Sequence, residues 1–304
     1  MNRSLAKLCL PLLRGYIRRF PDSKGIWRLR RFLQGSVIPS LPPETRASVV
    51  TSDGRTFEEN IHEPWFFLLM ATSRRDPAET ALLKNLLKTG DCVIDIGANY
   101  GWYSTWMAKL VGPNGAVHAF EPTPPTMELL RRNCDANEVS GLIAFNRVGL
   151  SNAPGKATIH VPAQHGGASL KPYFNAPTTP YEIELITLDS YVEKKRLGDV
   201  ALIKIDVEGS ELPAMKGATK LLSAPNPPLW MLEISRNASR EFGYTPEEML
   251  AYLAQYGYQF CLILEKPRGR LARLSDLSNC RDADNVLCYH PSSKDRVEKL
   301  TVTK

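Results

Sequence analysis

The segment that most limits what this chain can fold into is an apolar run followed by a short glycine turn. The run, Cys92–Ile96, breaks at Gly97, and a second glycine follows at Gly101. Glycine at these positions permits a tight turn and lets the backbone approach a ligand closely. A dinucleotide enzyme would place a third glycine in this turn to receive a pyrophosphate. Here Asn99 replaces the middle glycine and Asp95 puts a carboxylate in the strand end, which favours the ammonium of an amino acid over a pyrophosphate.

Around this segment, apolar runs alternate with helix-forming stretches over most of the chain. The predicted strands cover residues 92–96, 116–120, 142–148, 200–205, 229–234, 260–264 and 286–289. Helices are predicted between them, among others over residues 126–136, 211–222 and 246–256. Continuous apolar strands between helices indicate a parallel sheet covered on both faces. Right-handed crossovers then predict a doubly wound α/β domain whose ligand lies outside the carboxyl ends of the strands.

The second predicted strand ends in an acid. Glu121 follows Phe120 at the strand tip, twenty residues after Gly101. An acid at this place is positioned to accept both ribose hydroxyls of an adenosine. S-adenosylmethionine consists of an amino acid joined to an adenosine, so the two motifs together predict this cofactor.

Six motifs, two of them described above, give the chain a resemblance to the FkbM family of methyltransferases over about residues 80–290. They are DIGANYGWYS at 95–104, FEP at 120–122, VGLS at 148–151, ITLD at 186–189, IKIDVEGSE at 203–211 with KG at 216–217, and LEI at 232–234. The resemblance implies a class I methyltransferase fold, which is Rossmann-like, with a mostly parallel seven-stranded sheet and an antiparallel last strand. It also implies S-adenosylmethionine as cofactor and O-methylation of hydroxyls on sugars or polyketide-like products.

We expect the cofactor to lie over the first three strand tips. The amino-acid end is assigned to Asp95, Gly97, Asn99, Gly101 and Ser104, the ribose to Glu121, and the adenine to Val148, Gly149 and Leu150. Methyl transfer is an in-line displacement that needs an aligned acceptor and removal of its proton. The catalytic candidates are the acids near the fourth and fifth strand ends, Asp206, Glu208 and Glu233.

Those three acids allow two kinds of site. We adopt a metal-free acid–base site, because no fixed ligand spacing supports a metal; Mg²⁺ bound by the same carboxylates to polarise an acceptor diol is the alternative. His165 and Ser169, in the insertion between the third and fourth strands, are weaker candidates for contact with the acceptor.

Positive charge is concentrated at the start of the chain. Residues 1–35 carry nine Lys or Arg against one acid, and the rest of the chain is slightly acidic. Basic and apolar positions recur there at helical spacing, so we predict a basic amphipathic extension over 1–47 and a methyltransferase domain over 48–304, with an insertion at 150–190 as a flap on the acceptor side. We interpret the extension as packing its apolar face on the domain; peripheral contact of residues 1–35 with an anionic membrane is the alternative.

We expect a cytoplasmic protein, placed at the inner membrane surface if the extension binds lipid. No stretch approaches the ~20 apolar residues of a membrane-spanning helix, and the six cysteines are scattered without disulfide or metal spacing. The expected partner is a glycan or another small-molecule acceptor. A nucleic acid is not expected, because the catalytic part lacks basic character.

Other functions predict other sequences. A nucleotide-cofactor oxidoreductase would need the third turn glycine that is missing here. A non-catalytic binding domain would be expected to lose strand-tip acids that this chain retains. A methyltransferase acting on protein or RNA remains open at this stage.

Overall fold

A computed structural model of the chain describes residue 35 and residues 38–42, 45–162, 167–171 and 177–302. Most of the predicted N-terminal extension and the candidate His165 lie outside these residues. The chain divides into two compact units, one of residues 1–75 with 164–166 and one of residues 76–163 with 167–304. The domain boundary after residue 47 stays a prediction.

The described part of the first unit is a hairpin followed by a helix. Strands β1 (Arg46–Val50) and β2 (Thr56–Asn60) pair antiparallel on either side of a turn that contains Asp53 and Gly54. Helix α1 follows over Pro64–Thr72. Buried Arg55 closes the turn with an ion pair to Asp53 at 2.8 Å.

The second unit alternates helices and strands, as predicted. Its helices are α2 (Pro77–Leu86), α3 (Trp102–Val111), α4 (Pro124–Ala136), α5 (Leu188–Lys195), α6 (Glu211–Lys216), α7 (Thr219–Leu222), α8 (Arg236–Glu241), α9 (Pro246–Ala254) and α10 (Lys294–Glu298). Its strands are β3 (Cys92–Ile96), β4 (Ala116–Phe120), β5 (Ile143–Asn146), β6 (Gly149–Leu150), β7 (Gly155–Pro162), β8 (Thr178–Ile186), β9 (Val200–Ile205), β10 (Leu229–Glu233), β11 (Gln259–Leu264), β12 (Arg270–Leu274) and β13 (Asn285–Tyr289).

The central sheet has the order β12-β11-β13-β10-β9-β3-β4-β5. The five strands from β10 to β5 run parallel, and β13 pairs antiparallel with both β10 and β11. The sheet thus begins with β3 near its centre and adds β4 and β5 on one side. The chain then returns to add β9, β10 and the later strands on the other side. This confirms the doubly wound α/β fold with an antiparallel last strand.

One strand of this sheet was not predicted. The edge strand β12 pairs with β11 and makes the sheet eight-stranded. Its sequence mixes apolar and basic residues, and Leu271 is its only fully buried side chain. An edge strand of this kind lacks the apolar run by which buried strands are recognised.

Two predicted elements end early. The helix predicted over 211–222 is broken at Gly217, where a Cβ atom would lie 2.1 Å from the carbonyl oxygen of Ser151, so the backbones are in direct contact. The strand predicted over 142–148 ends at Asn146. The next residues, Gly149–Leu150, pair instead with β8 in a separate three-stranded sheet of order β6-β8-β7.

The predicted insertion contains a long hairpin. Strands β7 and β8 pair antiparallel over eight residue pairs, from Gly155↔Leu185 to Pro162↔Thr178. Its role as a flap stays a prediction. Among the described helices, none has both the length and the apolar content to cross a bilayer.

Candidate active site

The site forms where two chain segments cross at the carboxyl ends of β3 and β9. Gly97 has a left-handed φ of 77°, and its N–H bonds the Phe120 carbonyl oxygen at 3.0 Å. A Cβ atom at Gly97 would lie 1.9 Å from the carbonyl oxygen of Asp206. The glycine turn and the segment 206–210, which we call the acid loop, are therefore in backbone contact, and only glycine fits at the crossing.

The rest of the turn also takes glycine-like conformations. Asn99 and Gly101 have φ values of 49° and 90°. Gly101 begins α3, and a Cβ there would lie 2.8 Å from Leu130 Cδ1. The turn thus fits closely against α4 on one side and the acid loop on the other.

Asp95 lies beneath the turn and is completely buried. The Ser104 hydroxyl donates a hydrogen bond to its Oδ2 at 2.5 Å. Its Oδ1 has no hydrogen-bond partner within the described part of the chain. Burial raises the pKa of the Asp95 carboxyl. Direct contact with a ligand ammonium would require the turn to open.

Glu121 links the second strand tip to the glycine turn. Its Oε2 accepts a hydrogen bond from the Asn99 N–H at 3.2 Å. Its Oε1 accepts from the N–H and the hydroxyl of Thr123, at 3.0 and 2.7 Å. The side chain is buried, which raises its pKa. The residues predicted for the amino acid and for the ribose are thus joined directly.

The three residues predicted for the adenine lie just past the end of β5. Val148 is half-buried beside the core, and Leu150 is buried in it. Gly149 packs against β8, because a Cβ there would lie 2.7 Å from Leu185 Cδ2. Their contact with an adenine stays a prediction.

Asp206 and Glu233 meet at the ends of β9 and β10. The two carboxyl groups are hydrogen-bonded to each other. The negative charge of Asp206, together with burial, raises the pKa of Glu233 to about 10. At neutral pH the pair therefore shares one proton and carries one negative charge. The Lys204 ammonium donates a hydrogen bond to Asp206 Oδ2 at 3.0 Å.

Glu211 holds the acid loop from below. Its Oε1 accepts hydrogen bonds from the N–H groups of Val207 and Gly209, at 3.0 and 3.3 Å. The buried Tyr244 hydroxyl lies 2.9 Å from Oε2. Glu211 is therefore a structural residue at the start of α6, as its helix-capping position suggests.

Glu208, the third predicted catalytic acid, has a left-handed φ of 52° in this loop. It is half-buried and contributes to the raised pKa of Glu233. Its carbonyl oxygen accepts a hydrogen bond from the Ser169 hydroxyl at 2.9 Å. A Cβ at Gly167 would lie 2.7 Å from Glu208 Oε1. The insertion thus lies directly against the acid loop.

Tyr103 was missed as a site residue, and Lys204 was recognised as part of the IKIDVEGSE motif but given no role of its own. The Lys204 ammonium lies 4.7 Å from the centre of the Tyr103 ring, and the Tyr103 hydroxyl donates to Asp76 Oδ2 at 2.9 Å. The available signal was a lysine inside an otherwise apolar strand, since a buried lysine is rare without a partner.

The described residues contain no group of three or more His, Cys, Asp or Glu side chains arranged to hold a metal ion. The geometry offers instead a protonated and a charged carboxyl beside a buried ammonium. Such a set can accept one proton and donate one hydrogen bond at the carboxyl ends of the central strands.

A doubly wound sheet with a glycine turn and strand-tip acids at its centre defines the class I methyltransferases. Within that class, the chain belongs to the FkbM methyltransferase family, since the family model described as "Methyltransferase FkbM domain" matches residues 95–260, more than half of the chain. The resemblance seen in the sequence is confirmed. A nucleotide-cofactor oxidoreductase is not supported.

Characterised relatives share part of this chain. A hexuronic acid methyltransferase, AglP, from Haloferax volcanii is 30% identical over 145 residues, covering 48% of this chain and 57% of that protein. The 31-O-demethyl-FK506 methyltransferase FkbM from Streptomyces tacrolimicus is 28% identical over 160 residues, covering 43% of this chain and 60% of that protein. The chain thus spans about three fifths of the length of these relatives.

Solved structures with a similar arrangement are distant in sequence. An S-adenosylmethionine-dependent O-methyltransferase from Thermotoga maritima is 14% identical with a TM-score of 0.45, covering 84% of this chain and 96% of that one. An O-methyltransferase from Bacillus cereus is 12% identical with a TM-score of 0.40, covering 71% of this chain and 81% of that one.

Proposed function

We propose that the chain transfers a methyl group from S-adenosylmethionine to a hydroxyl of a sugar, a glycan or another small-molecule natural product. Family membership supports the reaction class. The names of the two relatives, a hexuronic acid methyltransferase and a demethyl-FK506 methyltransferase, support a small-molecule or glycan acceptor over a protein or RNA.

The observation that carries the proposal is the hydrogen-bonded pair Asp206 and Glu233 beside the glycine turn. Asp206 shares a backbone contact with Gly97 and a side-chain contact with Glu233. The group that would remove the acceptor proton is therefore fixed next to the turn proposed for the cofactor.

The residues of the turn fit the cofactor. When bound, S-adenosylmethionine supplies an electrophilic methyl group on a sulfonium sulfur. The unsatisfied Oδ1 of buried Asp95 is a polar atom that a ligand donor would satisfy once the turn opens. We assign Asp95, Gly97, Asn99, Gly101 and Ser104 to the amino-acid end, Glu121 to the ribose, and Val148, Gly149 and Leu150 to the adenine.

The acids have separate roles in this proposal. Asp206 accepts the proton of the acceptor hydroxyl as general base, while Glu233 keeps its own proton and orients Asp206 through their hydrogen bond. Glu208 faces the insertion, where Ser169 and His165 are assigned to acceptor contact. Charge is lost at sulfur as the methyl group moves, so alignment contributes more than stabilisation of an oxyanion.

The test is transfer of label from methyl-labelled S-adenosylmethionine into a host extract, followed by separation into glycan, lipid, protein and nucleic acid. We expect the label in the glycan or small-molecule fraction, and its loss with Asp206→Asn. Lys220→Met, an exposed lysine paired with Glu193 at 3.1 Å, is the matched control. Label confined to protein or nucleic acid would overturn the acceptor class.

A chelator decides the metal question in the same assay. The ammonium of Lys204 already lies against Asp206, which supports acid–base chemistry without Mg²⁺. We expect transfer to survive excess chelator. Loss of transfer that added Mg²⁺ restores would establish the metal-dependent alternative.

We also propose a cytoplasmic location, with residues 1–35 available to contact an anionic membrane surface. The basic composition of that segment supports it. Co-sedimentation of the full chain with anionic vesicles, and its absence with neutral vesicles, would test membrane contact.

A further inference from the structure

Lys204 occupies the centre of a charged row on the sheet. In neighbouring parallel strands, Lys204 is in register with Asp95 on one side and Met231 on the other. Residues in register point to the same face, and so do residues two apart on a strand. Asp206 therefore follows Lys204 on its face, and Glu233 follows Met231.

The position of Lys204 is closed on all sides. Its side chain is 3% exposed, against 28% for Asp206, so it lies beneath the acid and not beside it at the surface. The Tyr103 ring lies over its ammonium, and Tyr103 is anchored through its hydroxyl to Asp76. An acceptor molecule therefore reaches Asp206 but does not reach Lys204.

Three acids surround the single ammonium of Lys204. The acids that face it are Asp95 from β3, Asp206 after β9 and Glu233 from β10. Burial alone would lower the pKa of Lys204, but these acids outweigh it and raise the pKa, so the side chain stays charged. The Lys204 ammonium thus offsets the negative charge of the Asp206–Glu233 pair and also faces the buried carboxyl of Asp95.

We propose that Lys204 is a positioning residue that fixes Asp206 against Glu233 and balances the negative charge beneath the place where the sulfonium would bind. The proposal rests on the proposed function, because it assigns the sulfonium to the strand ends. The charge of Lys204 would then set the ratio of the affinities for two ligands that differ by one charge at sulfur. S-adenosylmethionine is cationic there, and S-adenosylhomocysteine is neutral.

The experiment is calorimetric titration of the full chain with both ligands, at neutral and at mildly alkaline pH. Without the ammonium the site is more negative, so Lys204→Met should raise the preference for S-adenosylmethionine roughly tenfold at alkaline pH. At neutral pH the gain should be smaller, because Asp95 or Asp206 gains a proton in place of the lost cation. Lys204→Arg should restore the wild-type preference, and Lys220→Met should not change it.

A second variant keeps the test independent of whether Lys204→Met folds. Asp206→Asn combined with Glu233→Gln removes the negative charge that this pair carries, so the preference for S-adenosylmethionine should fall below that of the wild type. A purely structural role would weaken both ligands equally and leave their ratio unchanged, and that result in both variants would overturn the proposal. If the wild type binds neither ligand, the proposed function itself fails.

Discussion

Tyr244 and Glu211 are joined beneath the acid loop, with the Tyr244 hydroxyl 2.9 Å from Glu211 Oε2 and 3.0 Å from the Gly209 carbonyl oxygen. Both side chains are buried. The loop that carries the proposed general base is therefore tied to α6 and to the segment before α9 through a single hydroxyl group.

Tyr244→Phe should lower the free energy of unfolding by about 1–3 kcal/mol, because a buried carboxyl oxygen loses its partner. Urea denaturation measures the loss. Tyr252→Phe is the matched control, since the half-buried Tyr252 hydroxyl bonds only Tyr256 at 3.3 Å among the hydrogen bonds resolved for it. Equal losses of unfolding free energy in the two variants would show that the Tyr244 hydrogen bond stabilises the fold no more than the Tyr252 hydrogen bond does.

Gly97→Ala should be among the most damaging substitutions in the second unit. A Cβ would lie 1.9 Å from the Asp206 carbonyl oxygen at a left-handed φ of 77°. The overlap and the strained backbone together should cost about 3 kcal/mol or more. Gly198→Ala, at an exposed position with nothing within 4 Å, should leave the urea midpoint nearly unchanged. A folded Gly97→Ala protein of wild-type stability would contradict the crossing.

The raised pKa of Glu233 predicts a pH dependence of stability. Its pKa rises from an ordinary 4.5 to about 10 on folding, mainly because of the Asp206 charge. The folded chain then binds more protons than the unfolded chain between those values, so this group makes stability fall as pH rises through that window. Glu233→Gln removes the titration and should flatten the fall.

The measurement is the free energy of unfolding in urea at several pH values from mildly acidic to mildly alkaline. The exposed acid Glu193, substituted as Glu193→Gln, serves as the control. Parallel curves for wild type and Glu233→Gln would mean that Glu233 ionises normally and that the pair with Asp206 does not share a proton.

Ser169→Ala should loosen the insertion without unfolding the sheet. The Ser169 hydroxyl bonds the Glu208 carbonyl oxygen at 2.9 Å and accepts from the Lys171 N–H at 3.3 Å. Two backbone hydrogen bonds, at 2.8 and 3.1 Å, join His160 and Ser169 next to this anchor. Amide hydrogen exchange at these two residues should become several-fold faster, with Ser275→Ala, an exposed serine, as control. Unchanged exchange rates in Ser169→Ala would show that this hydrogen bond does not hold the insertion to the acid loop.

Most of the central sheet follows from the sequence, because buried parallel strands are short apolar runs between helices. The edge strand β12 was missed because its residues are mixed, and the end of β5 was placed two residues late because apolar Val148 follows the polar residues Asn146 and Arg147. The break at Gly217 depends on a backbone 66 positions away in the chain, at Ser151, and no local pattern contains that information.

The sequence was enough to place the acids of the site at strand ends, but it did not reveal their burial or their hydrogen bonds. Nothing in the order of residues shows that Asp95 is closed off from solvent or that Glu233 shares a hydrogen bond with Asp206. Both depend on neighbouring strands that are distant in the chain. The same holds for Lys204, whose partners come from β3, α3 and β10.

The backbone crossing of Gly97 and Asp206 limits how this scaffold can diversify. A shift of the acid loop to suit a larger or differently shaped acceptor would drive a carbonyl group into the neighbouring turn, so the two segments must move together or not at all. The hairpin of β7 and β8 belongs to a separate sheet with β6 and does not pair with the central strands. Changes of acceptor between relatives should therefore accumulate in that hairpin, and engineering a new acceptor preference should begin there.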